Sequence, residues 1–226
     1  NPKIDLSTTE GQIKALLNPA INVRGQGFAK LLEQGEQVLE EVKKVLDSDN
    51  PYYQARAIWL LSKLSDQGKA IVKNILENEQ DPRLRIVAYR ALKDDAQSFL
   101  KHAAIGVKDP SPQVRREVAI SLRDTKWEES GVVIKELFKG YNGKDAWYLE
   151  ALGMAMDGKE DIAYSELLSN QPKDPSNWSD AFASLVWRIH PKSAIPALQE
   201  RALSEGLSVN TKQQAVDALA FINERD

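Results

Sequence analysis

The chain has 226 residues, 42% apolar and 28% charged, and a net charge of −3 that exerts no general pull toward nucleic acid or an anionic membrane. It contains no cysteine, which excludes disulfides, thiolate metal sites, thiol nucleophiles and covalent haem attachment through Cys within it. No apolar run approaches the roughly 18 residues that a membrane span needs, and no signal peptide is visible.

In chain order the elements come as pairs. The second member of each pair is marked by a recurring leucine: Leu31, Leu61, Leu92, Leu122, Leu152, Leu185 and Leu219, at intervals of 30, 31, 30, 30, 33 and 34. Four residues before each stands Gly27, Ala57, Ala88, Val118, Tyr148, Ala181 or Ala215. A period of this size marks a repeat array rather than one globular core.

Amphipathic first helices are predicted over Glu10–Leu17, Glu36–Asp47, Lys69–Asn78, Ala96–Val107, Glu129–Lys139, Asp161–Ser169 and Lys192–Ser204. Ser7-Thr8-Thr9-Glu10 reads as a capping box for the first of them. Asn18-Pro19, Asn50-Pro51, Asp81-Pro82, Asp109-Pro110 and Asp174-Pro175 each offer an N-cap and a proline suited to a helix start. Nothing alternates at period two for long enough to require a strand. The chain begins at Asn1, and its last helical pattern, Gln213 to Asn223, carries Leu219, Phe221 and Ile222 without a polar outer face. Since repeat arrays close with a polar cap, the expectation is a segment of something larger.

The residues that open and fill the second helices resemble HEAT repeats. Asp81-Pro82-Arg83-Leu84-Arg85 and Ser111-Pro112-Gln113-Val114-Arg115, each ahead of a small-residue and leucine pattern, carry the likeness. Tetratricopeptide and ankyrin signatures are missing. The resemblance implies an all-α, right-handed HEAT-like α-solenoid of about seven helical hairpins, residues 1–226 forming a single repeat domain.

Taking each leucine as an angular origin and turning about 100° per residue, positions −5, −2 and +2 point away from the core. Those columns hold Arg56, Glu117, Trp147 and Asp180; Trp59, Arg90, Glu150 and Asp217; then Glu33, Lys63, Asp94, Asp124 and Trp187. Seven acids against three bases make an acidic face bearing tryptophans. Phosphate neutralisation needs the opposite charge, so nucleic acid is not expected as a partner. Trp59, Arg90, Trp147, Glu150 and Trp187 are the candidate partner-binding residues, because indoles and guanidinium groups dominate protein interfaces. The alternative role for the tryptophans is wedging between adjacent repeats.

Other features read as structural. Arg24, Arg85 and Arg115 share position −7 on the core side, where a cation opposes the helix dipole. Asp81 and Asp109, or equivalents in the next repeat, are their expected partners. Residues 81–126 carry ten bases against six acids, spread over several faces as a solvated surface. His102 and His190 are 88 residues apart, with no carboxylates at ligand spacing, and His190 in Trp187-Arg188-Ile189-His190-Pro191 reads as a helix C-cap. Gly140-Tyr141-Asn142-Gly143-Lys144-Asp145 lacks Walker spacing and reads as an inter-helix turn. Asp157-Gly158-Lys159-Glu160-Asp161 does not match a calcium loop, and Asn177-Trp178-Ser179 fits a common glycosylation pattern. No catalytic, metal-ligating or cofactor-binding residue stands out.

From Trp127 to Ile222 a narrower likeness emerges. Trp127-Glu128, Gly140-Tyr141 with Gly143-Lys144-Asp145, Trp147-Tyr148-Leu149-Glu150-Ala151-Leu152-Gly153, Leu185-Val186-Trp187-Arg188-Ile189-His190-Pro191 and Asp217-Ala218-Leu219-Ala220-Phe221-Ile222 form one pattern. It is similar to the HEAT-like segment of bacterial membrane-bound dehydrogenase-like, haem-binding proteins, which join a propeller, this segment and a c-type cytochrome domain. The chain itself lacks the Cys-x-x-Cys-His motif and propeller strands. The resemblance implies a non-catalytic scaffold without a cofactor of its own, spacing or docking redox domains or a protein partner in the periplasm or cell envelope. The alternative from another class is a HEAT-like enzyme acting on DNA, as a glycosylase, or on a bilin chromophore, as a lyase.

Overall fold

A computed structural model of the chain describes residues 4–95 and 97–223. Those residues are all-helical, with no strand among them. They form two compact units, Asn1–Gly106 and Val107–Asp226.

The first unit holds α1 (Thr9–Leu16), α2 (Ile21–Gln34), α3 (Leu39–Lys43), α4 (Pro51–Leu64), α5 (Asp66–Asn78), α6 (Pro82–Leu92) and α7 (Phe99–Gly106). Here α1 packs on α2, α4 lies against both α5 and α6, and α7 rests on α5 and α6. The second unit holds α8 (Pro112–Ser121), α9 (Trp127–Lys139), α10 (Ala146–Ala155), α11 (Glu160–Leu168), α12 (Asp180–Ile189), α13 (Ile195–Leu203) and α14 (Val209–Asn223). In it α8, α10, α12 and α14 pack in succession, while α9 lies against α10 and α11, and α13 against α14.

Within each unit the second helices therefore touch one another in chain order, as period-30 leucines require. Leu31, Leu61, Leu92, Leu122, Leu152 and Leu185 are all buried. Two departures follow the irregular intervals. In α12 it is Phe182 that is fully buried, while Ala181 is partly exposed, so its interior begins one residue later than the leucine count places it. In α14, Ala215, Ala218 and Ile222 are buried, but Leu219 is only half-buried and Val216 is exposed. That helix buries one side alone.

The predicted first helices fall where expected, with the second of them broken. Residues 35–47 form a 3-10 turn (Gly35–Val38), the short α3 and another 3-10 turn (Lys44–Asp47). Buried Leu39, Val42 and Val45 recur every third residue, the spacing that three residues per turn keeps on one face. The predicted start of the fourth at Ala96 lies outside the described residues, and α7 runs from Phe99.

Capping is largely as read. The side chains of Asn50 and Asp81 accept the N–H groups of Tyr52 and Arg83 at 3.0 and 2.8 Å, with Pro51 and Pro82 as first helical residues. Other starts differ. Thr8, not Ser7, caps α1 through the Gly11 N–H. Ser111, not Asp109, caps α8, because Pro112 rather than Pro110 opens the helix. Asn18 accepts the Ala20 N–H at 2.9 Å in a turn, and α2 starts at Ile21 without a side-chain cap. Asp174 caps only a three-residue 3-10 turn, Pro175–Asn177.

Leu122→Ala is expected to cost roughly 2–5 kcal/mol in urea unfolding, the range for a buried leucine, and Leu219→Ala distinctly less. Equal losses at the two sites would refute the one-sided burial of α14.

Candidate functional site

The candidate residues divide between the units. In the first, Trp59 on α4 is half-buried and Arg90 on α6 is exposed, on two helices that pack together. Beside them Lys63 and Asp94 pair at 3.8 Å at the rim of a cleft of ≈ 350 Å³, where Lys69 and Asp95 pair at 3.6 Å. In the second unit, Trp147 and Glu150 sit on α10 and Trp187 on α12, again on packed neighbours. Trp147 is 74% exposed, so it does not wedge between repeats. Trp187 is half-buried, with its ring 6.3 Å from His190.

What joins α10 to α12 is an arginine. Arg188 donates from Nε to the Glu150 carboxylate at 2.7 Å, and its guanidinium lies flat on Gly153. A Cβ at that glycine would stand 2.6 Å from Arg188 Cζ, so glycine leaves the room. The residues of the family-like pattern, Glu150, Gly153 and Arg188, are thus one contact. Gly153 and Arg188 border a cleft of ≈ 290 Å³ whose other walls include Arg123, Asp157, Glu160 and His190. Arg123 is bridged to Asp157 at 3.1 Å. The Glu117 position, counted outward from the sequence, is buried instead.

The turn 140–145 positions Trp147. Asn142 Oδ1 accepts the N–H groups of Lys144 and Asp145 at 2.9 and 3.2 Å, and Asp145 caps α10 through the Tyr148 N–H at 3.0 Å. Gly143 has φ +77°, a left-handed conformation that glycine adopts freely, and a Cβ on it would stand 3.3 Å from the main-chain N of Ala181 in α12. Tyr141 stacks on Tyr148 with ring centres 5.9 Å apart. Buried Tyr148 donates to the Leu137 carbonyl at 2.9 Å and accepts from Arg115 Nε at 3.2 Å. Burial raises its hydroxyl pKa above the usual tyrosine value, against the pull of Arg115.

Two of the three arginines at position −7 reach main-chain carbonyls. Arg85 donates to the main-chain carbonyls of Glu79 and Gln80 at 2.7 and 3.0 Å, and Arg115 likewise to those of Asp109 and Pro110 at 2.6 and 3.0 Å. The Asp81 carboxylate takes Arg83 instead, at 2.7 Å. Arg24 makes no salt bridge among the described residues.

The acidic turn 157–161, unremarked as a site by sequence, is a clamp. Lys159 Nζ gives its three donors to the carbonyls of Leu122, Arg123 and Thr125 at 3.3, 2.6 and 2.8 Å. Burial holds its pKa below the ordinary lysine value, opposed by Asp157, Asp124 and Glu160. Asp161 accepts the N–H and hydroxyl of Ser193, both at 2.7 Å. His190 caps α12 in the left-handed region at φ 50°, as read, with its N–H on the Val186 carbonyl and its ring 4.9 Å from Phe221. Within the glycosylation-like triplet Trp178 is buried, packed between Phe182 and the guanidinium of Arg201.

Among the described residues no cluster of three His, Asp or Glu side chains is placed to hold a metal ion, and no helix is long and apolar enough to cross a membrane. Comparison with known proteins finds no family model and no curated protein that matches the chain.

Replacing Lys159 by Met takes the Lys159 donor from the Arg123 and Thr125 carbonyls and is expected to cost roughly 1–3 kcal/mol, whereas Arg123→Ala, at an exposed ion pair, costs below about 1 kcal/mol. Urea denaturation measures both, and equal costs would count against the clamp.

His102 supplies a pH dependence. It is buried on α7, its Nδ1 has no hydrogen-bond partner among the described residues, and desolvation lowers its pKa from the usual 6.5. Asp95, the Leu92 carbonyl and Glu77 oppose that shift, and Lys73 adds to it. A lowered folded-state pKa means that the neutral form is favoured by folding. Its stabilising contribution is therefore complete above about pH 6.5 and is lost as acidification passes below that value toward the folded pKa. Between about pH 7 and about pH 5 the protein should lose more stability than His102→Gln does, and parallel losses would exclude His102 as the cause.

Proposed function

We propose that this chain is a HEAT-like α-solenoid of about seven helical hairpins that serves as a non-catalytic scaffold, docking a protein partner or neighbouring domain on the outward face of its second helices. The observation that carries this reading is Trp147, a tryptophan held 74% exposed on α10 by a turn whose hydrogen bonds fix it there. Large aromatics are costly to expose and dominate interfaces when buried by a partner. The succession of second helices inside each unit supports the solenoid, and the carboxylates beside Trp147 argue for a protein rather than a nucleic acid.

The likeness of residues 127–222 to the HEAT-like segment of dehydrogenase-like, haem-binding proteins makes redox domains the partners of choice, and the periplasm or cell envelope the compartment. In that setting the chain holds a propeller and a cytochrome domain at a fixed separation, and its own residues do no redox chemistry.

Two measurements test the reading. Small-angle scattering should give a radius of gyration well above the roughly 17 Å of a globular chain of this length, and a value at 17 Å would remove the solenoid. Separately expressed propeller and c-type cytochrome domains of that family should include one that binds the chain, with Trp147→Ala weakening it about tenfold or more. Absence of binding by both domains would remove the redox-scaffold role.

A further inference from the structure

We infer, building on the docking function proposed above, that the outward face of α10 and α12 receives a Lys- or Arg-bearing segment of a protein partner, one cation of which stacks on Trp147. Trp147 stands in the first turn of α10 and Asp180, also exposed, in the first turn of α12. The approach of Gly143 to Ala181 brings those two turns together. An exposed indole attracts cations over its face, and a carboxylate nearby selects the same sign.

The charge balance of the face decides against other partners. Its bases are already neutralised from within: Arg188 lies on Glu150 at 2.7 Å, Arg123 on Asp157 at 3.1 Å, and Arg116 4.0 Å from Asp145. Asp124, Asp180 and Asp217 are exposed and make no salt bridge among the described residues. Lys144, in the turn ahead of α10, adds one cation and leaves the balance negative. An acidic segment would have to break an existing bridge to reach an arginine, while a neutral one gains only the apolar contact. A basic segment that meets the indole and Asp180, and extends toward Asp124 beyond α8 and Asp217 on α14, breaks no salt bridge.

The test uses three synthetic amphipathic peptides with identical apolar positions and Lys/Arg, Glu/Asp or Ser/Gln at the rest, titrated into the whole chain by calorimetry. The basic peptide should bind at least about tenfold more tightly than the neutral one, which corresponds to about 1.4 kcal/mol, and the acidic peptide should not bind. Trp147→Ala should lose about tenfold of the basic peptide's affinity, Trp147→Phe should retain most of it, and Asp180→Asn should weaken it severalfold. All three variants alter exposed side chains, and unchanged circular dichroism shows that they fold. Basic and neutral peptides binding alike, with Trp147→Ala still weakening both, would overturn the choice of a basic partner and leave the docking face intact. Peptide binding indifferent to Trp147→Ala would overturn both.

Discussion

The carbonyls at and just beyond the ends of packed helices must be bonded, because a buried carbonyl without a donor costs free energy. Each α-helix leaves its last carbonyls without an internal partner, and their partial negative charges add. This protein meets that demand with cations. Arg56 reaches the carbonyls of Leu16 and Asn18, Arg85 those of Glu79 and Gln80, Arg115 those of Asp109 and Pro110, Lys159 those of Leu122, Arg123 and Thr125, and Arg201 that of Pro175. Hydrogen bonds from charged donors contribute more than neutral ones.

The same device shapes the candidate face. Arg115 and Lys159 are committed to carbonyls and Arg123 and Arg188 to carboxylates, so these four bases hold helices together while Lys144 stays exposed. What remains in water on α10 and α12 is an indole and surplus carboxylate. Electrostatic character here is a by-product of architecture: the helix ends take the cations, and the outward columns keep the anions.

The family-like pattern of residues 140–191 acquires a physical meaning from this. Glu150, Gly153 and Arg188 are a single contact between α10 and α12, and Gly140 and Tyr148 contact the Arg115 guanidinium, with Tyr141 stacked on Tyr148. These residues serve the junction between hairpins. Trp147 stands apart from that set, because it is exposed and no packing accounts for it. Residues 157–161 show the reverse case, an acidic turn that looks like surface and is an anchor.

Helices, their pairing and most caps were legible in the residues alone, because helical periodicity, N-caps and proline starts are local and need only three or four neighbours. The buried leucines were legible for the same reason as far as Leu185, whereas Leu219, after the longest interval, is only half-buried. Local patterns could not assign the partners of the cations. Arg85 and Arg115 find carbonyls five and six residues back, and Lys159 finds them 34 to 37 residues back, where a carbonyl carries no residue-specific mark in the sequence. Nor could they separate an exposed tryptophan from a wedged one: Trp147 and Trp187 occupy outward columns alike, and only the packing of α12 beside His190 half-buries one and leaves the other in water. The sequence by itself determined an all-helical chain and the burial of most of its recurring leucines, since both follow from local positions. Tertiary structure decided which charges cancel and which aromatic stays exposed, since those depend on contacts between residues far apart along the chain.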